Sequence, residues 1–179
     1  MKSEKAIKML IVSSYPPREC GLATFSNDIA NSVKSVFGDT LPIEVCALQN
    51  SKHQFKYGPE VSYSITTSSI DNYRQVAEKI NGRNDIGLVC IQHEFGLHGG
   101  EYGNYMLAFL LALNKPIVTV FHTVLPDPSV KRKKVVQAIY DLSNKIVVLT
   151  NKSKEILVNQ YGCQPSKINV IPHGTHIVL

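Results

Sequence analysis

Aromatic residues make up only 8% of the 179-residue chain and tryptophan is missing altogether, which leaves too few rings near the basic residues to build a stacking platform for nucleic acid. Cysteine is also scarce. Cys20, Cys46, Cys90 and Cys163 stand apart with no CxxC pair, and a chain of this size folds without disulfides, so a reducing, cytoplasmic setting is the simpler expectation. No apolar run reaches membrane length: the longest, Tyr105 to Leu113, is about half of the ~20 residues a span requires, and Met9 to Val12 is too short for a signal-peptide core. The sequon at Asn151-Lys152-Ser153 then has no meaning. Neither GxGxxG nor GxxxxGK[ST] occurs, which weighs against a dehydrogenase or a P-loop ATPase. There is no internal repeat and no low-complexity segment.

What remains is the composition of a folded protein. Apolar residues are 44% and charged residues 18% of the chain, which fits one domain with a sizeable core and excludes disorder or a fibre. Lys and Arg number 19 against 14 Asp and Glu, a net charge of +5 with a pI near 9.0. That balance favours an anionic partner such as a nucleotide, a phosphosugar or an acidic membrane surface. The basic run Lys131 to Lys134 reads as a solvated helix face rather than a binding patch.

Apolar runs alternate with helical repeats throughout. The stretches 7–13, 42–48, 61–66, 86–92, 116–121, 145–149 and 168–171 read as strands, several apolar enough to be covered on both faces. Between them, Leu22, Phe25, Ile29, Val33 and Val36 recur at helical spacing up to Gly38, and further helices are predicted over 71–80, 104–113, 130–142 and 151–161. The polar loop around Lys52, His53, Lys56, Tyr57 and Gly58 is expected to be mobile. This β-α-β order predicts an α/β domain: an open, doubly wound, mainly parallel Rossmann-like sheet, the first strand near its centre, helices on both faces and crossovers right-handed. Ligands of such sheets sit outside the carboxyl ends of the strands.

Three of the six histidines directly follow strands on that rim: His93, His122 and His173. The first strand runs into Arg18-Glu19-Cys20-Gly21, which opens a helix. Its amides and dipole suit a phosphate, with Gly21 permitting close approach; the alternative is a plain helix start. His93-Glu94 and His98 approximate HExxH, but on a helix five steps would set the rings about 140° apart, so no zinc site is expected. The glycines that follow, from Gly96 on, make the segment a loop, either facing a ligand or merely exposed. His122 is either a fixed imidazole in the cleft or a strand-end histidine satisfied by a backbone carbonyl.

Taken together, SSYPPRECGLATFSNDIA, IQHEFGLHGGEYG, TVFHTVLPDP and INVIPHGTHI resemble, in order and spacing, the N-terminal domain of retaining GT-B glycosyltransferases of family 4, the group 1 glycosyltransferases. The resemblance spans nearly the whole chain. It implies half of a two-domain enzyme that transfers a sugar from a nucleoside diphosphate sugar to a carbohydrate or lipid-linked acceptor; nothing in the sequence calls for a metal or other cofactor, and no nucleic-acid partner is expected. The expected location is cytoplasmic, with peripheral contact to the inner face of the membrane. On this resemblance, Arg18, Cys20 and Gly21 approach the donor phosphates, although many members have two glycines where this chain has Cys20-Gly21. His122 becomes the catalytic residue in the sugar pocket, with Thr123 beside it. His93, Glu94, Phe95 and Gly96 line the acceptor side, and His173-Gly174 begin the hinge. Residues 1–179 then form a single acceptor-side domain, and the carboxylates of a donor-binding second domain lie outside this sequence, so the chain by itself is expected to be inactive. The other readings are a GT-B sugar-nucleotide epimerase or phosphorylase-like enzyme, or a stand-alone flavodoxin-like binding module.

Overall fold

Hydrophobic continuity is explained by burial on both sides: β1 (Lys8–Ser13) is enclosed from Met9 onward and pairs in parallel with β2 (Ile43–Gln49) on one flank and β4 (Ile86–His93) on the other. The computed structural model describes residues 6–51 and 55–174. In it, β3 (Val61–Thr66), β5 (Ile117–Phe121), β6 (Lys145–Val148) and β7 (Ile168–Val170) complete a seven-stranded, all-parallel sheet of order β3-β2-β1-β4-β5-β6-β7. This is the Rossmann-like fold expected, with β1 one place from the central strand.

The helices are unevenly divided between the faces. α2 (Ile70–Asn81), α3 (Met106–Ala112), α4 (Val130–Leu142) and α5 (Asn151–Asn159) bury Tyr73, Ile80, Phe109, Ile139 and Leu157 against Leu10, Val12, Val89, Ile91 and Ile146. Among the described residues only α1 (Gly21–Phe37) lies on the other face, where Ile29, Ala30 and Val33 meet Met9, Ile11, Cys90 and Val120. The β2–β3 connection carries no helix among its described residues. Its Tyr57 packs on Tyr15, Val45 and Ala47, while Lys52 and His53, placed in the mobile loop by the sequence, lie outside the described residues.

At the amino ends of the strands an ionic network ties three neighbours together. Lys8 Nζ lies 2.6 Å from Glu44 and 3.1 Å from Asp85, and Arg83 reaches Glu44 at 2.9 Å and Asp85 at 2.6 Å. Burial works to raise the Glu44 carboxyl, but hydrogen bonds from Arg83, Lys8 and Ser62 outweigh it and hold it at about 2. The Arg83 hydrogen bond is the main cause of the lowering at Asp85.

Candidate functional site

The rim at the carboxyl ends begins with α1. Cys20 is its N-cap residue and no side chain caps the helix, whereas Ser69, Ser129 and Thr150 accept backbone N–H bonds at the starts of α2, α4 and α5. A side-chain cap is worth about 1 kcal/mol; here the Ala23 N–H donates to the Cys20 carbonyl at 3.0 Å, and the Gly21 and Leu22 amides at the positive dipole end have no partner among the described residues. A Cβ on exposed Gly21 would meet nothing within 4 Å. Arg18 is turned toward β2, donating from Nη1 to the Leu48 carbonyl at 3.3 Å, and Cys20 Sγ lies 3.2 Å from Ser14 Oγ.

His122 is half-buried one residue beyond β5. Its backbone N–H donates to the His93 carbonyl at 3.1 Å, and its Nε2 lies 2.8 Å from Gln92 Oε1. The partner of the ring is thus a side-chain amide, not a backbone carbonyl. Burial pushes the imidazole down to about 4, opposed by the Glu94 carboxylate and assisted by His173, so the ring is neutral at neutral pH. Beside it, Thr123 Oγ1 donates to Glu94 Oε2 at 2.6 Å and the Phe95 N–H donates to Glu94 Oε1 at 3.0 Å. Phe25 of α1 stands between two imidazoles, 4.7 Å edge-on from His122 and 4.8 Å from His173. Gly21, Phe25, His173 and Gly174 also form the rim end of an apolar groove of about 850 Å³ that runs down the sheet over Cys90, Val120 and Val147.

The segment after β4 corrects the sequence reading in three ways. His93 is fully buried, boxed in by Phe95 and Phe121 with ring centroids at 5.2 and 4.8 Å, so the direct acceptor contact expected of it is not available. The rings of His93 and His98 lie 5.6 Å apart and nearly parallel, because the segment turns instead of forming a helix and wheel arithmetic does not apply. Phe95 is half-buried under Arg132, whose guanidinium sits 5.7 Å from its ring and 5.0 Å from that of Tyr102. The run Lys131 to Lys134 is therefore not uniformly solvated: one of its four members is a cover for aromatic rings. Gly96 is exposed, with open space where a Cβ would stand.

Sequence reasoning missed Gln92 and Phe25. In sequence Gln92 simply ends an apolar strand, yet a polar residue fully buried there needs a partner. Phe25 falls on the apolar stripe of its helix and so reads as core.

The model of Glycosyltransferase Family 4 matches residues 48–178. No curated protein matches the chain. Among solved structures, a glycosyltransferase from Rickettsia africae ESF-5 superposes with a TM-score of 0.59 at 19% identity, covering 93% of this chain and 43% of its own. An alpha-glucosyltransferase in complex with UDP and a 13-mer DNA superposes with a TM-score of 0.52 at 12% identity, covering 82% of this chain and 38% of its own. The chain thus spans less than half the length of these two structures. The fold they share and the family match over most of the sequence agree: this chain belongs to Glycosyltransferase Family 4.

Proposed function

We propose that this domain is the acceptor-side half of a retaining GT-B glycosyltransferase, which moves a sugar from a nucleoside diphosphate sugar to a carbohydrate or lipid-linked acceptor. The observation that carries the reading is that Phe25, about one turn into α1 from its uncapped N-terminus, packs edge-on against the neutral, anchored His122. As the donor's glycosidic bond breaks, negative charge grows on the leaving diphosphate. First-turn amides of α1 around Gly21 meet that charge, and Arg18 and Cys20 shape the loop that carries them. His122 hydrogen-bonds the sugar and orients it for attack; with a pKa near 4 it is not a general acid at neutral pH. Glu94, Thr123 and Gly96 border the acceptor side. The UDP held by the alpha-glucosyltransferase of similar fold supports a nucleotide sugar as donor.

Most donor contacts fall to a second domain reached through His173-Gly174, so the 179 residues alone bind donor weakly and transfer nothing. The reaction uses no metal. A lipid-linked acceptor would bring the domain to the cytoplasmic face of a membrane; no helix among the described residues is long and apolar enough to cross one. Calorimetric titration of the chain with a panel of nucleoside diphosphate sugars tests the division of labour. Dissociation constants of about 1 mM or weaker, roughly −4 kcal/mol, are expected, and micromolar binding would overturn it. Sugar transfer by the chain joined to its second domain, abolished or strongly slowed by His122→Ala, tests the activity itself.

A further inference from the structure

Gln92 grips two imidazoles at once. Its backbone carbonyl accepts from His98 Nε2 at 3.0 Å, and its side-chain Oε1 faces His122 Nε2 at 2.8 Å. The residue is fully buried, and its amide nitrogen lies 3.5 Å from Cys90 Sγ, a thiol that burial keeps protonated, with a pKa pushed up to about 12. An amide oxygen only accepts, so the ring nitrogen opposite it must carry hydrogen. His122 Nδ1 has no protein partner among the described residues and is not enclosed.

We propose that Gln92 is a positioning residue: it holds His122 as the Nε2–H tautomer, leaving Nδ1 as a bare hydrogen-bond acceptor at the rim. The proposal rests on the glycosyltransferase reading for its purpose and deepens it. A neutral imidazole fixed this way accepts a hydrogen bond from a sugar hydroxyl but offers nothing to a phosphate oxygen, which is itself only an acceptor. The two chemistries of a sugar nucleotide are thereby separated on the rim, the phosphates toward the amides of α1 and a sugar hydroxyl toward Nδ1. Protonation would reverse that preference by turning Nδ1 into a cationic donor. The groups that bias it are Glu94 after β4, His93 within β4 and His173 after β7, with Asp28 of α1 lining the same groove. Burial beneath these elements keeps the ring neutral across the neutral range.

The test is nitrogen-15 spectroscopy of the histidines in the chain itself, with the His122 signals identified by their loss in His122→Asn. The expected result is a neutral His122 with its proton on Nε2, slow to exchange with water. A proton on Nδ1 would mean that the amide of Gln92 is turned the other way, and the proposal would fall. Gln92→Leu, close in volume, should release the Nε2 proton to fast exchange; persistence of the protected signal would show that Gln92 does not hold the ring, and would overturn the proposal. Gln92→Glu places a carboxylate on the same nitrogen and should raise the protonation constant of His122 tenfold or more, one pKa unit. An unchanged titration in that variant would also defeat it. Should Gln92→Glu fail to fold, the spectra of the unaltered chain and of Gln92→Leu still decide. The glycosyltransferase reading fails separately: if the tautomer is as described but His122→Asn leaves sugar transfer by the two-domain protein untouched, Gln92 positions a ring that does not serve the reaction.

Discussion

His93 and His98 lie with their rings nearly parallel, 5.6 Å apart, both fully buried, and neither nitrogen of His93 has a hydrogen-bond partner among the described residues. Burial is the chief cause of lowered pKa values at both, well below the usual imidazole value at His93 and to about 4 at His98. With His122 they form a set that the folded chain holds uncharged.

Acid should therefore destabilise the fold in two stages. Each of these imidazoles is harder to protonate folded than unfolded, so the unfolded chain takes up protons first as pH falls. Stability is complete above about 6.5, the unfolded value, and declines from there toward about 4. The carboxyls of Glu44 and Asp85, lowered in the fold, extend the loss below about 4.5. Urea midpoints measured from pH 8 to pH 3 should show both stages, and Arg83→Leu should lower the midpoint at neutral pH and flatten only the second stage, because the carboxyls then return toward their unfolded values. A flat midpoint between pH 6.5 and 4.5 would contradict the histidine argument.

Because His93 makes no hydrogen bond through its ring, His93→Leu removes no bonded pair and relieves two buried polar atoms. We expect stability at pH 7.5 to be unchanged or raised by up to about 1 kcal/mol, with a shallower decline toward pH 5. A loss of several kcal/mol in equilibrium unfolding would mean that the ring nitrogens have partners after all.

Two glycines on the rim should respond in opposite ways. At Gly21 an added methyl group finds open space, so Gly21→Ala should leave the melting temperature unchanged or raise stability by about 0.4–1 kcal/mol, while weakening phosphate contact in the two-domain protein. Gly99 has φ +73°, and a Cβ there would be driven into the Thr67 carbonyl oxygen. Gly99→Ala should cost more than about 2 kcal/mol. Thermal unfolding of the two variants side by side checks the contrast.

His122→Ala leaves Gln92 Oε1 without its partner. A strand-end histidine on an open rim would cost less than about 1 kcal/mol to truncate; a half-buried one with a bonded amide should cost about 1–3 kcal/mol. In the proposed two-domain transferase kcat should fall about 10²-fold or more, some 2.7 kcal/mol of lost transition-state stabilisation. Melting of the chain and turnover of the enzyme are the paired measurements, and full activity in the folded variant would remove His122 from the reaction.

Much of the architecture was legible in sequence because its signals are local. Ile86 to Gln92 reads as a buried strand from unbroken apolarity, and the α2 segment from Tyr73, Val76, Ala77 and Ile80 at one period. The start of α3 is legible to within two residues: the regular helix begins at Met106, but Asn104 and Tyr105 already have helical dihedrals and the Leu107 N–H donates to the Asn104 carbonyl at 3.0 Å. The site was half legible. Strand ends locate His122 and Gly21, since position along a strand is a one-dimensional property. Which rim residues are submerged, as His93 is, and which join across strands, as Gln92 and His122 do, depends on contacts separated by many residues that no local period encodes.

The uneven clothing of the sheet follows from the direction in which the chain travels across it. From β1 to β2 to β3 it moves toward one edge, and α1 and the Tyr57 segment land on one side. Every later step heads toward the opposite edge, and α2 to α5 land on the other side. A right-handed crossover couples heading to side. A further strand laid beside β7 would keep the later heading and deliver its helix to the side that already carries four. The open groove over β4, β5 and β6 is thus beyond the reach of the sheet's own winding: only chain that breaks from that winding, or another molecule, can roof it.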